Sequence, residues 1–139
     1  MKNIDHAKML HLMAQKDHHA LLVMLDPNTV ALEIFGLHVQ QAVEKTIKAW
    51  LCLIGVPYPK KHDLDQLADL LAKAGATIPT QFTSLLEFTD FAVVFRYEAF
   101  PDFNVAIDRE DTTALVGQFL HHVDILLANK QEELIKIKQ

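Results

Sequence analysis

Apolar residues recur along this chain at spacings of three and four, and no stretch alternates long enough to read as a half-buried strand. That period belongs to α-helices, whose side chains return to one face every 3.6 residues. Helix-breaking residues cluster at Asp26-Pro27-Asn28, Gly55-Val56-Pro57-Tyr58-Pro59, Gly75-Ala76-Thr77-Ile78-Pro79 and Phe100-Pro101-Asp102. The pattern predicts helices near 4–25, 27–54, 63–74, 80–97 and 109–136. Start and stop signals agree with it. Asp26 is placed to cap a helix with Pro27 at its first position, where a missing N–H costs nothing. Gly55 suits a left-handed helix end. Asp63 is a cap with Gln66 as a capping-box partner, and Asp108 is a cap for the last helix. Short connections favour antiparallel neighbours. The expected fold is therefore all-α, an up-and-down antiparallel bundle of four longer helices plus one short helix.

Several polar residues break the pattern. From residue 41 onward, Gln41, Glu44, Lys45 and Lys48 share a narrow arc of the second helix, and Cys52 continues it. The rest of that stretch is Ala, Val, Thr, Ile, Trp or Leu, so the helix is expected to be central. The stripe is either a solvated face with a Glu44–Lys48 pair at i, i+4 or the lining of a site. Asp17 shares a face with Leu10, Met13, Ala14, Leu21 and Met24. A carboxylate there needs a cation, and Lys48 and Arg96 are the candidates. It either fixes helix register or orients that cation in a site. Arg96 falls beside Leu85, Thr89 and Ala92, while Phe88, Phe91 and Phe95 occupy the other face of the fourth helix. Its guanidinium suits a carboxylate or a phosphate, or it pairs with Asp17 or Glu44. His62 sits between Lys60-Lys61 and the Asp63 cap, and a helix start with nearby lysines suits an anion.

Length and composition narrow the reading. The chain has 139 residues, half of them apolar, which suits a single domain over 1–139. A net charge of −5 argues against strong general nucleic-acid binding, although a local basic patch is compatible with it. Cys52 stands alone, which fits a reducing compartment. The charged N-terminus does not read as a signal peptide, and no apolar run is long enough for a membrane span. A cytoplasmic location is expected. Of the eight histidines, His18-His19 and His121-His122 are adjacent pairs that point to different sides of a helix. With no HExxH and no CxxC, no metal site is expected. No Gly-rich phosphate loop and no GxSxG occurs, and no residue reads as a nucleophile.

The stretch HVQQAVEKTIKAWLCLIGVPYPKKHDLDQLADLL, residues 38–71, resembles the HEPN domains (higher eukaryotes and prokaryotes nucleotide-binding). The family segment reads QQAxEKxxKAxLxxxG, a Pro-containing loop, then His-Asp-Leu at a helix start. Gln40-Gln41-Ala42, Glu44-Lys45, Lys48-Ala49, Leu51, Gly55 and His62-Asp63-Leu64 match it here. Ala14 and Asp17 match the first-helix Ala-x-x-Asp. Arg96-Tyr97 matches an Arg-Tyr near the end of the fourth helix, followed by Pro101-Asp102. The resemblance spans roughly residues 10–128. It implies a helical bundle that often pairs with itself, and nucleotide binding in many members. Small members often partner minimal nucleotidyltransferases in toxin–antitoxin-like pairs. One branch consists of metal-independent RNases with an Arg followed four to six residues later by His. Neither Arg96 nor Arg109 is followed by such a His here.

Together these readings give one expectation. Lys45, Lys48, His62 and Arg96 receive the phosphates of a nucleotide such as ATP. Asp17 and Glu44 orient those cations, Asp63 and Tyr97 support them, and no residue is assigned to catalysis or metal binding. Alternatives are a protein-interaction module and an RNase with a non-standard site. Apolar residues off the core face of the first helix, Met9, Leu12 and Val23, suggest a homodimer.

Overall fold

The computed structural model describes residues 2–92 and 107–138, with side chains for 4–92 and 107–138. Its elements are α1 (Lys2–Leu22), α2 (Leu32–Leu53), α3 (Leu64–Lys73), a 3-10 helix (Thr80–Ala92) and α4 (Arg109–Lys138). No strand occurs among the described residues, so the all-α expectation holds.

The apolar α2 lies at the centre and packs against every other element. Val39, Ala42, Val43, Ile47, Ala49 and Leu51 along it are wholly buried. Asp17 meets Lys45, whereas His6 meets Tyr58 beyond the far end of α2, so α1 runs antiparallel to α2. Ala7 and Ala14, also wholly buried, let the two backbones come close. His18 reaches Thr113 and His11 reaches Asp124, so α4 is antiparallel to α1. The short α3 buries Leu64, Leu67 and Leu71, a single apolar stripe at spacings of three and four.

Glycine ends two helices. Gly55 has φ 77° and Gly75 has φ 88°. Past them, the Val56 and Ala76 amides donate back to the Leu51 and Leu71 carbonyls, each at 2.9 Å. At the starts, Asp63 accepts from the Asp65 and Gln66 amides, and Asp108 accepts from the Asp111 amide.

Two expectations need correction. Asp26 and Pro27 do not start α2. The Asp26 carboxylate accepts from the Asn28 amide and the Thr29 hydroxyl, and its carbonyl accepts from the Thr29 and Val30 amides. That closes one isolated turn. Ala31 is then extended, with ψ 147°, and α2 begins at Leu32. The cap signal is genuine, but the turn that it caps does not propagate.

The segment expected as an α-helix over 80–97 is a 3-10 helix through Ala92, and residues 93–97 lie outside the described residues. Phe82, Leu85, Phe88 and Phe91 explain the difference. All four are buried, and they are spaced by three. In an α-helix Phe82 and Phe91 would sit about 180° apart. In a 3-10 helix residues i and i+3 eclipse, so all four share one face. Leu85 and Phe88, expected on opposite faces, are therefore on the same one. The Phe88 and Phe91 rings stack at 5.4 Å, and Gly36 of α2 leaves the space that the Phe91 ring fills.

Candidate functional site

Polar residues at i, i+4 and i+8 on α2, Gln40, Glu44 and Lys48, form one connected set. Glu44 is 8% exposed, and both of its carboxylate oxygens are used. Oε1 accepts from the Gln40 amide at 2.9 Å and from His62 Nδ1 at 2.8 Å. Oε2 accepts from Lys48 Nζ at 2.9 Å. The Gln40 amide also donates to the His62 carbonyl at 3.0 Å. One buried carboxylate thus fastens the α2–α3 connection to the middle of α2. Burial by itself pushes the Glu44 carboxyl up. The hydrogen bonds from Gln40, Lys48 and His62, with the Lys48 charge, outweigh burial and hold it below the usual range. Since the carboxylate only accepts, His62 carries its hydrogen on Nδ1. The imidazole side chain is 56% exposed. The Lys48 ammonium also lies 5.1 Å from the centre of the Tyr58 ring.

A second ion pair lies within one turn of the first. Lys45 donates to Asp17, and His38 Nδ1 lies 3.3 Å from the same carboxylate. The lysine on Asp17 is therefore Lys45; of the two candidates from the sequence, Lys48 is held by Glu44 instead and Arg96 lies outside the described residues. Antiparallel packing puts residue 45 opposite Asp17, while Lys48 is drawn to Glu44 on its own helix. The Glu44–Lys48 pair exists, but both side chains are only 10% exposed, so it belongs to no solvated face. Lys45, Lys48 and His62 stand together, each held by Asp17 or Glu44. Arg96 and Tyr97 lie outside the described residues. Lys60, Lys61 and His62 are exposed at the α2–α3 connection. Asp63 already accepts the first amides of α3, so an anion at this end would be met by side chains. The sequence reading gave no site role to Gln40, His38 or Tyr58, although Gln40 stands in the segment that it matched to the family. The i−4 spacing from Glu44 was the available signal for Gln40.

Other candidate groups have structural partners. Arg109, tested by sequence as half of an RNase pair, is 9% exposed. Its guanidinium donates to the Met24 carbonyl at 2.7 Å and lies 5.2 Å from the Phe35 ring. Burial pushes the Cys52 thiol up, only partly opposed by a hydrogen bond with Tyr58, which argues against a reactive thiolate. Among the described residues no three His, Cys, Asp or Glu side chains gather to hold a metal, and no helix is long and apolar enough to cross a membrane.

Compared with known protein families, residues 7–130 match the HEPN domain, from α1 to near the end of α4. The chain belongs to the HEPN family. No curated protein and no solved structure matches it. HEPN membership points to a nucleotide-binding or RNase-like domain. Within this HEPN domain the matched stretch contains both carboxylate-held cation pairs.

Proposed function

We propose that this HEPN domain binds a nucleotide by its phosphates, without catalysis, beside the α2–α3 connection, where Lys45, the largely buried Lys48 and the exposed His62 lie, with Arg96, outside the described residues, as the fourth candidate cation. The observation that carries the reading is the Glu44 carboxylate, which holds the Lys48 ammonium and the His62 imidazole on its two oxygens. Such preorganisation lowers the cost of fixing flexible cations around an anion. Asp17 does the same for Lys45. Asp17 and Glu44 balance Lys45 and Lys48 in formal charge, so net attraction for phosphate comes from exposed Lys60 and Lys61, from Arg96 and from His62 when protonated. Each charge-assisted contact contributes about 1.5–3 kcal/mol, so three suit micromolar binding.

Calorimetry with ATP tests this on the wild type, on Lys60→Ser/Lys61→Ser and on His62→Gln. Lys60 and Lys61 are exposed, and Gln at 62 keeps an N–H donor for Glu44; unchanged helical circular dichroism checks that the fold is kept. Saturable binding in the wild type, weakened at least several-fold in both variants, supports the reading. Unsaturable heats, or equal affinity in all three proteins, would refute it. The physiological partner in this reading is a minimal nucleotidyltransferase, in a toxin–antitoxin-like pair, with the chain itself as a homodimer. Met9 and Leu12 on α1 and Val23 just past its end, 62%, 52% and 78% exposed, favour a protein contact there.

A further inference from the structure

A hollow of about 670 Å³ lies over the outward side of α4, between the end of α1 and the start of the 3-10 helix. None of its lining residues belongs to the lysine network. Its floor is built. Gly117 lets the His18 imidazole lie against α4, since a Cβ there would come within 2.9 Å of His18 Nε2. That nitrogen donates to the Thr113 carbonyl at 3.1 Å. A carbonyl only accepts, so Nε2 bears the hydrogen and Nδ1 is left as an acceptor. Thr113 itself is among the lining residues. It is 3% exposed, and its hydroxyl has no hydrogen-bond partner. A buried polar atom without a partner is unusual in a native fold, but this one is closed off from the hollow, so its walls and not the Thr113 hydroxyl define a ligand.

The walls state what that ligand is. Leu22 and Ile125, each about half exposed, are apolar, and the Phe82 and His122 rings lie 6.1 Å apart at one side. The Gln81 and Gln118 amides and the His121 imidazole both donate and accept. Among the described lining residues there is no lysine or arginine, and Glu110 is the one Asp or Glu. Among these residues a phosphate or carboxylate would meet the Glu110 charge and no lysine or arginine. An uncharged ring with N–H and lone-pair edges would find flat apolar contact, paired donors and acceptors, and a carboxylate to receive an amino or hydroxyl group. The volume lies in the usual range for small-molecule sites.

We propose that this hollow is a second ligand site, separate from the lysine network, that takes an uncharged planar heteroaromatic of the nucleobase or nucleoside class. The test is NMR of the histidine ring protons in the full chain at pH 8, titrated with adenosine, guanosine and cytidine and, in parallel, with adenosine monophosphate. Saturable shifts of His18, His121 and His122 with at least one nucleoside are expected. The monophosphate should bind about tenfold more weakly than adenosine because of Glu110. Ala114→Trp, at an exposed position in the hollow, should weaken binding at least tenfold with helical circular dichroism unchanged. Gln118→Ala should weaken it several-fold. Lys60→Ser/Lys61→Ser should leave the nucleoside shifts unaltered, so this site and the phosphate site stand or fall separately. Any of three results overturns the proposal: no saturation with any nucleoside, equal affinity for the monophosphate, or undiminished binding by Ala114→Trp. Shifts that follow protein concentration alone would mean that a second copy occupies the hollow, and would overturn it too.

Discussion

Glu44→Gln isolates the buried carboxylate at the centre of the polar network. The substitution keeps the shape of the side chain and replaces one oxygen by an NH2 group. If the remaining oxygen keeps the Gln40 and His62 donors, the new amide faces the Lys48 ammonium, donor against donor. Lys48 is 8% exposed and has the Tyr58 ring as its other neighbour. The lost charge-assisted hydrogen bond is worth about 1.5–3 kcal/mol. Leaving one buried charge without its partner raises the cost towards about 3–5 kcal/mol. Glu44→Gln should therefore lower stability by about 3 kcal/mol in urea unfolding at pH 7. The double variant Glu44→Gln/Lys48→Met should recover at least about 1 kcal/mol of that, since it removes the stranded charge. A loss under about 1 kcal/mol, or a double variant no more stable than the single one, would refute the view that Glu44 is an obligatory partner of Lys48.

Other predictions follow from the same coordinates. Gly36→Ala gains up to about 1 kcal/mol of helix propensity but places a Cβ 2.2 Å from the buried Phe91 ring. Overpacking of that kind costs about 1–3 kcal/mol, so a lower thermal midpoint is expected and an unchanged or higher one would contradict the packing. Arg109→Met removes the donor to the Met24 carbonyl and should cost about 2 kcal/mol in urea unfolding; no loss would show that the α1–α2 connection does not depend on it. Burial lowers the His11 imidazole from its ordinary 6.5, against an opposing pull from Asp124. Its folded value lies below its unfolded one, so its contribution is complete above about pH 6.5 and is lost as pH falls below that. His11→Leu should flatten the dependence of the urea midpoint between pH 7 and 5; equal slopes in both proteins would sink this.

Much of the fold was legible because apolar spacing and helix-end chemistry are local properties. Gly55, Gly75, Asp63 and Asp108 act at helix ends as their residue types suggest. The start of α2 was misread because a cap is decided within four residues, whereas propagation depends on packing beyond them. The 3-10 helix was written in the sequence as Phe82, Leu85, Phe88 and Phe91, but a wheel drawn at 100° per residue scatters a period of three over two faces. In the polar network, Asp17 and Glu44 drew attention as charges in apolar stripes. Their partners were less legible. The choice of Lys45 for Asp17 depends on the vertical offset between antiparallel helices, which no single-helix pattern contains. The groove over α4 was hidden for the same reason, because Gly117 and His18 are nearly a hundred residues apart.

The period of three also limits which length changes the chain tolerates. A 3-10 helix advances about 120° per residue and rises about 2.0 Å. Inserting three residues between Phe82 and Phe91 would keep all the rings in one row, but would lengthen the segment by about 6 Å and shift Phe91 along α2 relative to Phe82. Inserting or deleting one residue would swing everything downstream by a third of a turn and take Phe91 out of its slot at Gly36. A change of three residues therefore keeps the face but not the fit, and a change of one keeps neither.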